Sequence, residues 1–387
     1  MDLTLEAYRS IVKYVGSRAD IATLCGVSKG FRHVAERALY NTLFMRNDQE
    51  TTTILCTTLT TTPHLARHVD ALTISASDDE ISGHSESDDY DEDERPAAPE
   101  MNWPAISRAL EKTTRLRYLN IHVSHADRAL SWVLEKSTFR LRRFHCEFDW
   151  DKALVAFLDR QVELEDLFVV DYRDSQDTHT ETSNLTDPPS DCLRISSDSM
   201  PKLSILDCTF SEAAMAIVPG RPITHLKTCF STDELTAKRR EMSAMLSKVG
   251  LSTSPLRSLD IGDSSYTDTF SSELLTAIAH TRSPVMAELK HLGTLVLPID
   301  GRERLQFYGL LMRFPKIQSV EFEVTEWDPP PSSSAALRAL AGELRLYTPS
   351  VTRVVFVQDF DRTVVTATNG ICRVDREISS DLHWREK

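Results

Sequence analysis

Glycine is scarce in this sequence, 12 among 387 residues, and no two glycines stand in a G-x-G spacing. That excludes the glycine-rich phosphate cradles of dinucleotide-binding and kinase folds, and no G-K-[ST] exists for a P-loop. H-E-x-x-H and G-x-S-x-G are absent as well, so the common zinc-protease and serine-hydrolase motifs drop out. No apolar run approaches the roughly 18 residues of a spanning helix. Residues 1–9 lack the basic start and apolar stretch of a signal peptide, so the chain is expected in the cytoplasm, the nucleus or both. The seven cysteines are odd in number and scattered without a C-x-x-C, the pattern of reduced, buried thiols. Positive charge is also short: 44 Lys and Arg stand against 58 Asp and Glu, a net charge of −14. Ten of the acidic residues fall between Asp78 and Glu94. Nothing basic is concentrated enough to displace the counterions of a nucleic acid, so neither nucleic acid nor membrane is an expected partner.

What is present is a repeat. One phrase, apolar-x-x-apolar-x-apolar, recurs ten times from about residue 65. Its anchors are Val69, Leu72, Ile74; Leu116, Leu119, Ile121; Leu141, Phe144, Cys146; Leu164, Leu167, Val169; and Leu203, Leu206, Cys208. They continue as Ile223, Leu226, Thr228; Leu256, Leu259, Ile261; Leu292, Leu295, Leu297; Ile317, Val320, Phe322; and Val351, Val354, Phe356. The closing alternation has strand period, with one face buried. Helix period precedes most copies: Trp103, Ile106 and Leu110 share a face, as do Leu130, Val133 and Leu134. Leu154, Phe157 and Leu158 repeat the pattern, as do Leu274, Leu275 and Ile278, and again Leu337, Leu340 and Leu344. Helix, turn and short strand at this pitch predict an α/β fold: a degenerate leucine-rich-repeat solenoid, or horseshoe, over residues 46–360.

Three polar stretches interrupt it: residues 75–99, acidic and expected to be disordered; 171–190; and 327–334. Val364, Val365, Ile371 and Val374 predict a terminal hairpin that caps the solenoid over 361–387. Residues 1–45 read as three short helices, with Asp20 placed to start the second and Ser28 the third. So few residues cannot build a core alone and must pack on the solenoid or a partner.

The run Leu3, Thr4, Leu5, Glu6, Ile11, Val15, Asp20, Ile21, Leu24, Val27, Ser28, Lys29, Phe31, Arg32 and Leu39-Tyr40 resembles an F-box, with Thr4 where that motif has proline. An F-box followed by leucine-rich repeats resembles a substrate receptor of an SCF-type cullin–RING ubiquitin ligase. Leu39, Tyr40 and Leu43, with Val374, Asp375 and Trp384 in the tail, are most similar to the expanded F-box-like family of mushroom-forming fungi. The resemblance implies docking of an SKP-type adaptor on Leu3, Leu5, Ile11, Val15, Ile21, Leu24, Val27 and Phe31. It implies capture of a protein target by the repeats, and it calls for no cofactor. The other reading is a repeat scaffold whose F-box-like helices cap the solenoid without engaging a ligase.

In a horseshoe the residues between anchors face the concave side. Arg117, Tyr118, His122, Arg142, Arg143 and His145 would there form a basic patch suited to an acidic or phosphorylated segment. The plainer reading is a solvated strand face paired with Glu165 and Asp166. Ser75, Ser77 and Ser85 have the acidic spacing of kinase sites, and phosphates there would compete for that patch. His64 with His68, and His122 with His125, are the close histidine pairs, and neither has the further ligands of a metal site. Glu321 and Glu323 read as surface. No nucleophile, base and orienter are placed together, so the chain is not expected to be an enzyme.

Overall fold

The computed structural model describes residues 3–47, 49–76, 101–124, 127–170, 195–263, 267–281, 283–331, 333–359, 361–375 and 383–386. Ser77, Ser85, His125, Cys192, nearly all of the acidic insertion and the whole of the second lie outside them. The chain divides into two compact units, Met1–Leu164 with Phe168–Arg194, and Glu165–Leu167 with Ile195–Lys387.

The first unit opens with α1 (Leu5–Tyr14), α2 (Arg18–Val27) and α3 (Lys29–Tyr40). Each start is fixed by a hydroxyl that accepts an otherwise unpaired amide: Thr4 from Ala7, Ser17 from Asp20, Ser28 from Phe31. The cap of the second helix thus stands at Ser17, three residues before the expected Asp20, which sits in the first turn, where a carboxylate favours the helix dipole. Four parallel strands follow in chain order: β1 (Thr42–Arg46), β2 (Ala71–Ser75), β3 (Tyr118–His122) and β4 (Arg143–Cys146). Parallel pairing requires crossovers. These are α4 (Gln49–Thr61) with α5 (Pro63–Ala66), then α6 (Trp103–Lys112), then a 3-10 helix at Ser131–Leu134. The last replaces the longer helix expected around Leu130, although Val133 and Leu134 are buried as the periodicity required. Helix α7 (Lys152–Asp159) packs Phe157 edge-on to Phe144, ring centres 5.3 Å apart. Ser75 closes β2, paired with Arg46 and His122, so the polar insertion begins after the strand rather than at this residue.

Strand β5 (Asp166–Val169) gives Asp166 and Leu167 to the second unit. There β6 (Ile205–Cys208), β7 (His225–Cys229), β8 (Ser258–Gly262), β9 (His291–Val296), β10 (Ser319–Glu323) and β11 (Arg353–Gln358) run parallel in chain order. The intervening helices are α8 (Ser211–Ile217), α9 (Leu235–Val249), α10 (Asp268–His280), α11 (Gly301–Leu311) and α12 (Ser334–Tyr347). Beside β11 the direction reverses: β12 (Asp361–Thr368) and β13 (Ile371–Asp375) form the antiparallel hairpin expected from the alternation there. Its two-residue turn, Asn369–Gly370, holds φ of 53° and 81°, conformations that asparagine and glycine accept most readily. The chain is a mixed α/β protein with mainly parallel strands.

One copy of the repeat is out of step with the sequence reading. Leu292 aligns with Leu259 and Val320, the middle anchors of their phrases, so the eighth phrase begins at Leu289, not Leu292. Its third anchor, Leu295, comes one residue late because β9 bulges between Leu292 and Leu295, with Thr294 at φ 48°.

Candidate functional site

On the first unit, Val12, Val34 and Ala35 form a small core, with Tyr8, Ile21, Leu24, Cys25 and Phe31 packed against it. Tyr8 stands edge-on to Phe31 at 4.6 Å. Helix α3 is the member that meets α5 and β1. Of the positions implied for adaptor docking, Leu3, Leu5, Ile11 and Val27 are exposed, Val27 to 62%, and Tyr14 joins them. Val15, Ile21, Leu24 and Phe31 are half-buried, and no residue of α2 is buried. Thr4, in place of proline, accepts the Ala7 amide at 3.3 Å.

The strand face of this unit carries the expected basic residues. Arg142 and Arg143 both donate their backbone amides to the Arg117 carbonyl, at 2.7 and 3.1 Å, so the backbones of the three arginines are adjacent. Their side chains and Tyr118 are exposed. Tyr118 lies opposite Arg143 and Asn120 opposite His145. His122 is engaged by Glu147 at 2.9 Å, and Glu147 also accepts the Val123 amide at 3.0 Å. Burial raises the Glu147 carboxyl, but these two hydrogen bonds outweigh it and hold the group below its ordinary range. His145 is half-buried beside the Phe168 ring. Glu147 is thus the carboxylate on His122, and Arg385 binds Asp166.

The second unit holds a denser polar arrangement on one strand face. His225, Ser258, His291, Ser319 and Arg353 are in register from β7 to β11, one from each strand. Two residues along, Asp207, Lys227, Asp260 and Gly293 make a second row, with Glu321 beside it on β10. Lys227 lies 3.6 Å from Asp260, and Arg362 lies 3.1 Å from Glu321. The bulge in β9 turns the Thr294 hydroxyl onto the Asp260 carboxylate at 2.8 Å. Burial sets the electrostatics. It pushes Glu321 up to about 7, with the Asp260 charge adding to the effect. It raises Asp207 too, although Lys227 and Arg385 oppose the rise. Burial works against the Lys227 charge, but Asp260 and Asp207 more than compensate and its pKa rises. His225 and His291 are pressed down to about 4 by burial, and so are neutral at pH 7. Glu321, at 5% exposure, is thus part of this interior and not the surface residue its sequence position implied.

The C-terminal segment His383–Arg385, a single 3-10 turn, sits against β8. Arg385 donates to both oxygens of Asp166, at 2.7 and 2.6 Å, and to Asp207 at 3.1 Å. Its guanidinium stacks over the Trp384 ring at 4.6 Å, and Trp384 is buried.

Asp166, Asp207, His225 and Lys227 lie between anchors of the repeat, where the rule for a horseshoe puts residues on the concave face. Asp260, Glu321 and Arg353 occupy equivalent places and were legible by the same rule, whereas His291 was hidden by the misplaced eighth phrase. Arg385 carried no signal, because it lies 219 residues from Asp166. Among the described residues no three His, Cys, Asp or Glu side chains converge as a metal would require, and no helix is long and apolar enough to cross a membrane. The arrangement offers charge-assisted hydrogen bonds and apolar contact, the chemistry of recognition. No protein-family model matches the chain, and no curated protein matches it significantly.

Proposed function

We propose that this chain is a non-catalytic substrate receptor of an SCF-type cullin–RING ubiquitin ligase, acting in the cytoplasm or nucleus. In this reading α1–α3 are an F-box that docks an SKP-type adaptor. The strands and helices that follow are a degenerate leucine-rich-repeat solenoid that holds a target protein within reach of ubiquitin transfer. Its contribution is proximity rather than bond chemistry. The observation that carries the proposal is the exposure of Leu5, Ile11, Tyr14 and Val27 on helices whose other apolar residues are already spent on α3. An apolar surface of this kind, left open on an amphipathic helix pair, is characteristic of a partner site.

Purified chain is to be tested for capture of the SKP-type adaptor beside a variant carrying Leu5→Asp and Val27→Asp. These two exposed positions spare Leu24, which packs in the helical core. Capture by the wild type and not by the variant supports the ligase reading. Equal capture by both, or none by either while both remain folded, favours a repeat scaffold that does not engage a ligase.

A further inference from the structure

The Asp166–Asp207 pair and its covering tail point to a recognition surface of definite chemistry. We propose that the polar strand face of the second unit, from β5 to β9, is a docking site for a peptide segment bearing an arginine next to an aromatic residue, and that His383–Arg385 occupies it in cis as a built-in competitor. This rests on reading these strands as a protein-recognition surface, and its test contains no adaptor, so it stands or fails apart from F-box docking.

The tail displays what the face can bind. Two carboxylates on adjacent strands hold one guanidinium, with Asp166 taking one nitrogen on both oxygens and Asp207 taking the other. A planar fork between two carboxylates is a geometry that lysine cannot reproduce. Trp384 supplies the apolar area and stacks on the same guanidinium. Asp260 stands one strand beyond Lys227, so the floor carries three aspartates against one lysine and favours a cationic occupant.

The fit is incomplete, and this separates a replaceable occupant from a piece of core. Both ring nitrogens of His291, which is 2% exposed, have no hydrogen-bond partner in the protein. Nε2 of His225, Nε2 of His383 and the hydroxyl of Ser258 are buried in the same condition. A segment that folds as part of an interior normally satisfies the polar atoms it covers, because each orphan costs the desolvation of that atom. The tail makes its strong contacts at Asp166 and Asp207 and leaves the donors and acceptors toward β9 open, where a longer peptide would reach them. In cis, the tail lowers the apparent affinity for such a peptide by the fraction of time it occupies the face.

The test uses the full chain and a fluorescein-labelled peptide copying residues 383–387, read by fluorescence anisotropy. Arg385→Ala in the chain removes the cis anchor, and the labelled peptide is expected to bind that variant at least tenfold more tightly than it binds wild type. Adding Asp166→Asn and Asp207→Asn abolishes the gain, as does alanine in place of arginine in the peptide. Arg385→Lys in the chain keeps the charge without the fork and is expected to show the same gain in smaller measure. A folded Arg385→Ala or Arg385→Lys chain that binds the peptide no better than wild type overturns the proposal. So does binding that survives loss of both aspartates. If neither variant folds, the tail is part of the core and the proposal falls.

Discussion

The carboxylate of Asp260 occupies the space that a β-carbon on residue 293 would need, so Asp260 on β8 and Gly293 on β9 are a matched pair across neighbouring strands. Glycine in a strand interior ordinarily weakens it. Here it gives the buried Asp260 side chain room to lie over the adjacent strand. The bulge that follows then brings the Thr294 hydroxyl to the same carboxylate. Asp260 is 3% exposed, and Lys227 and Thr294 supply the cation and the hydrogen bond that make its burial tolerable.

Gly293→Ala is therefore expected to destabilise the chain by about 1–3 kcal/mol, the range for overpacking a filled interior. Asp260→Ala in the same chain vacates the contested space, so the double variant should lose less than the sum of the two single changes. Urea unfolding of the four chains measures the coupling. Strict additivity would mean that the two residues do not compete for this space.

The N-terminal helices hold two glycines with opposite expectations. Gly26 lies in α2 with nothing near the position of an added β-carbon, so Gly26→Ala gains helix propensity, about 1 kcal/mol at most. At Gly30 the same methyl meets the Tyr8 ring at 2.5 Å. Gly30→Ala must displace Tyr8 from Phe31 and loosen α1 from α3. Thermal melts should move upward for the first variant and downward for the second. Matching shifts would show that Tyr8 yields without cost.

The repeat phrase made the parallel strands legible because each buries two alternate anchors, and a period of two survives even in a degenerate copy. Strand β1 buries Leu43 and Met45 as β2 buries Leu72 and Ile74, but it escaped because the place of its first anchor, Tyr40, was read as the end of the F-box-like run, where α3 ends. Helix α4 escaped because it is rich in threonine, a weak helix former. Its hydroxyls bond back to the preceding turn, as Thr57 does to Thr53 and Thr60 to Cys56, and only Thr52, Cys56 and Leu59 are fully buried. The eighth phrase went astray because the bulge inserts a residue and leaves Leu292, Leu295 and Leu297 spaced as a false copy. The basic residues of β3 and β4 were found because they are consecutive in the repeat. The Arg385–Asp166 contact, made between distant parts of the chain, has no local pattern to announce it.

Stability should depend on pH through His225, His291 and Glu321. The two histidines titrate near 4 in the fold against an ordinary 6.5, so the unfolded chain takes up their protons first. The stability they carry above pH 6.5 is lost as pH falls toward 4. Glu321 has the opposite sign: raised to about 7 from an ordinary 4.5, it adds stability below pH 4.5 that is lost as pH rises through 7. Between pH 4.5 and 6.5 two protons against one leave a net loss of roughly 1.4 kcal/mol per pH unit on acidification. His291→Leu is expected to flatten that dependence and, since its ring nitrogens have no partner, to cost little at pH 7. Glu321→Gln should steepen it about twofold. Urea unfolding at pH 4.5, 5.5 and 6.5 on the three chains checks the order of slopes, and contributions common to all of them cancel. Equal slopes would remove these residues from the account.

Lys238 and Arg239, adjacent on α9, separate a buried ion pair from a surface one. Lys238 is 2% exposed, bonded to Asp263 and set 5.4 Å from the Phe270 ring centre. Arg239 grips Glu273 through two hydrogen bonds of 2.7 and 2.6 Å, but in solvent. Water compensates for most of the second pair's separation, whereas Asp263, 9% exposed, has little solvent to replace the ammonium it would lose. Lys238→Met keeps the apolar volume and removes only the charge, so its cost reports the loss of the cation beside the buried Asp263 carboxylate, about 3 kcal/mol. Arg239→Ala should leave the urea midpoint almost unmoved. Adding Asp263→Asn to Lys238→Met should recover part of the loss, because the buried charge goes with it. A double variant no better than Lys238→Met alone would place the cost in lost packing over Phe270 rather than in the lost ion pair.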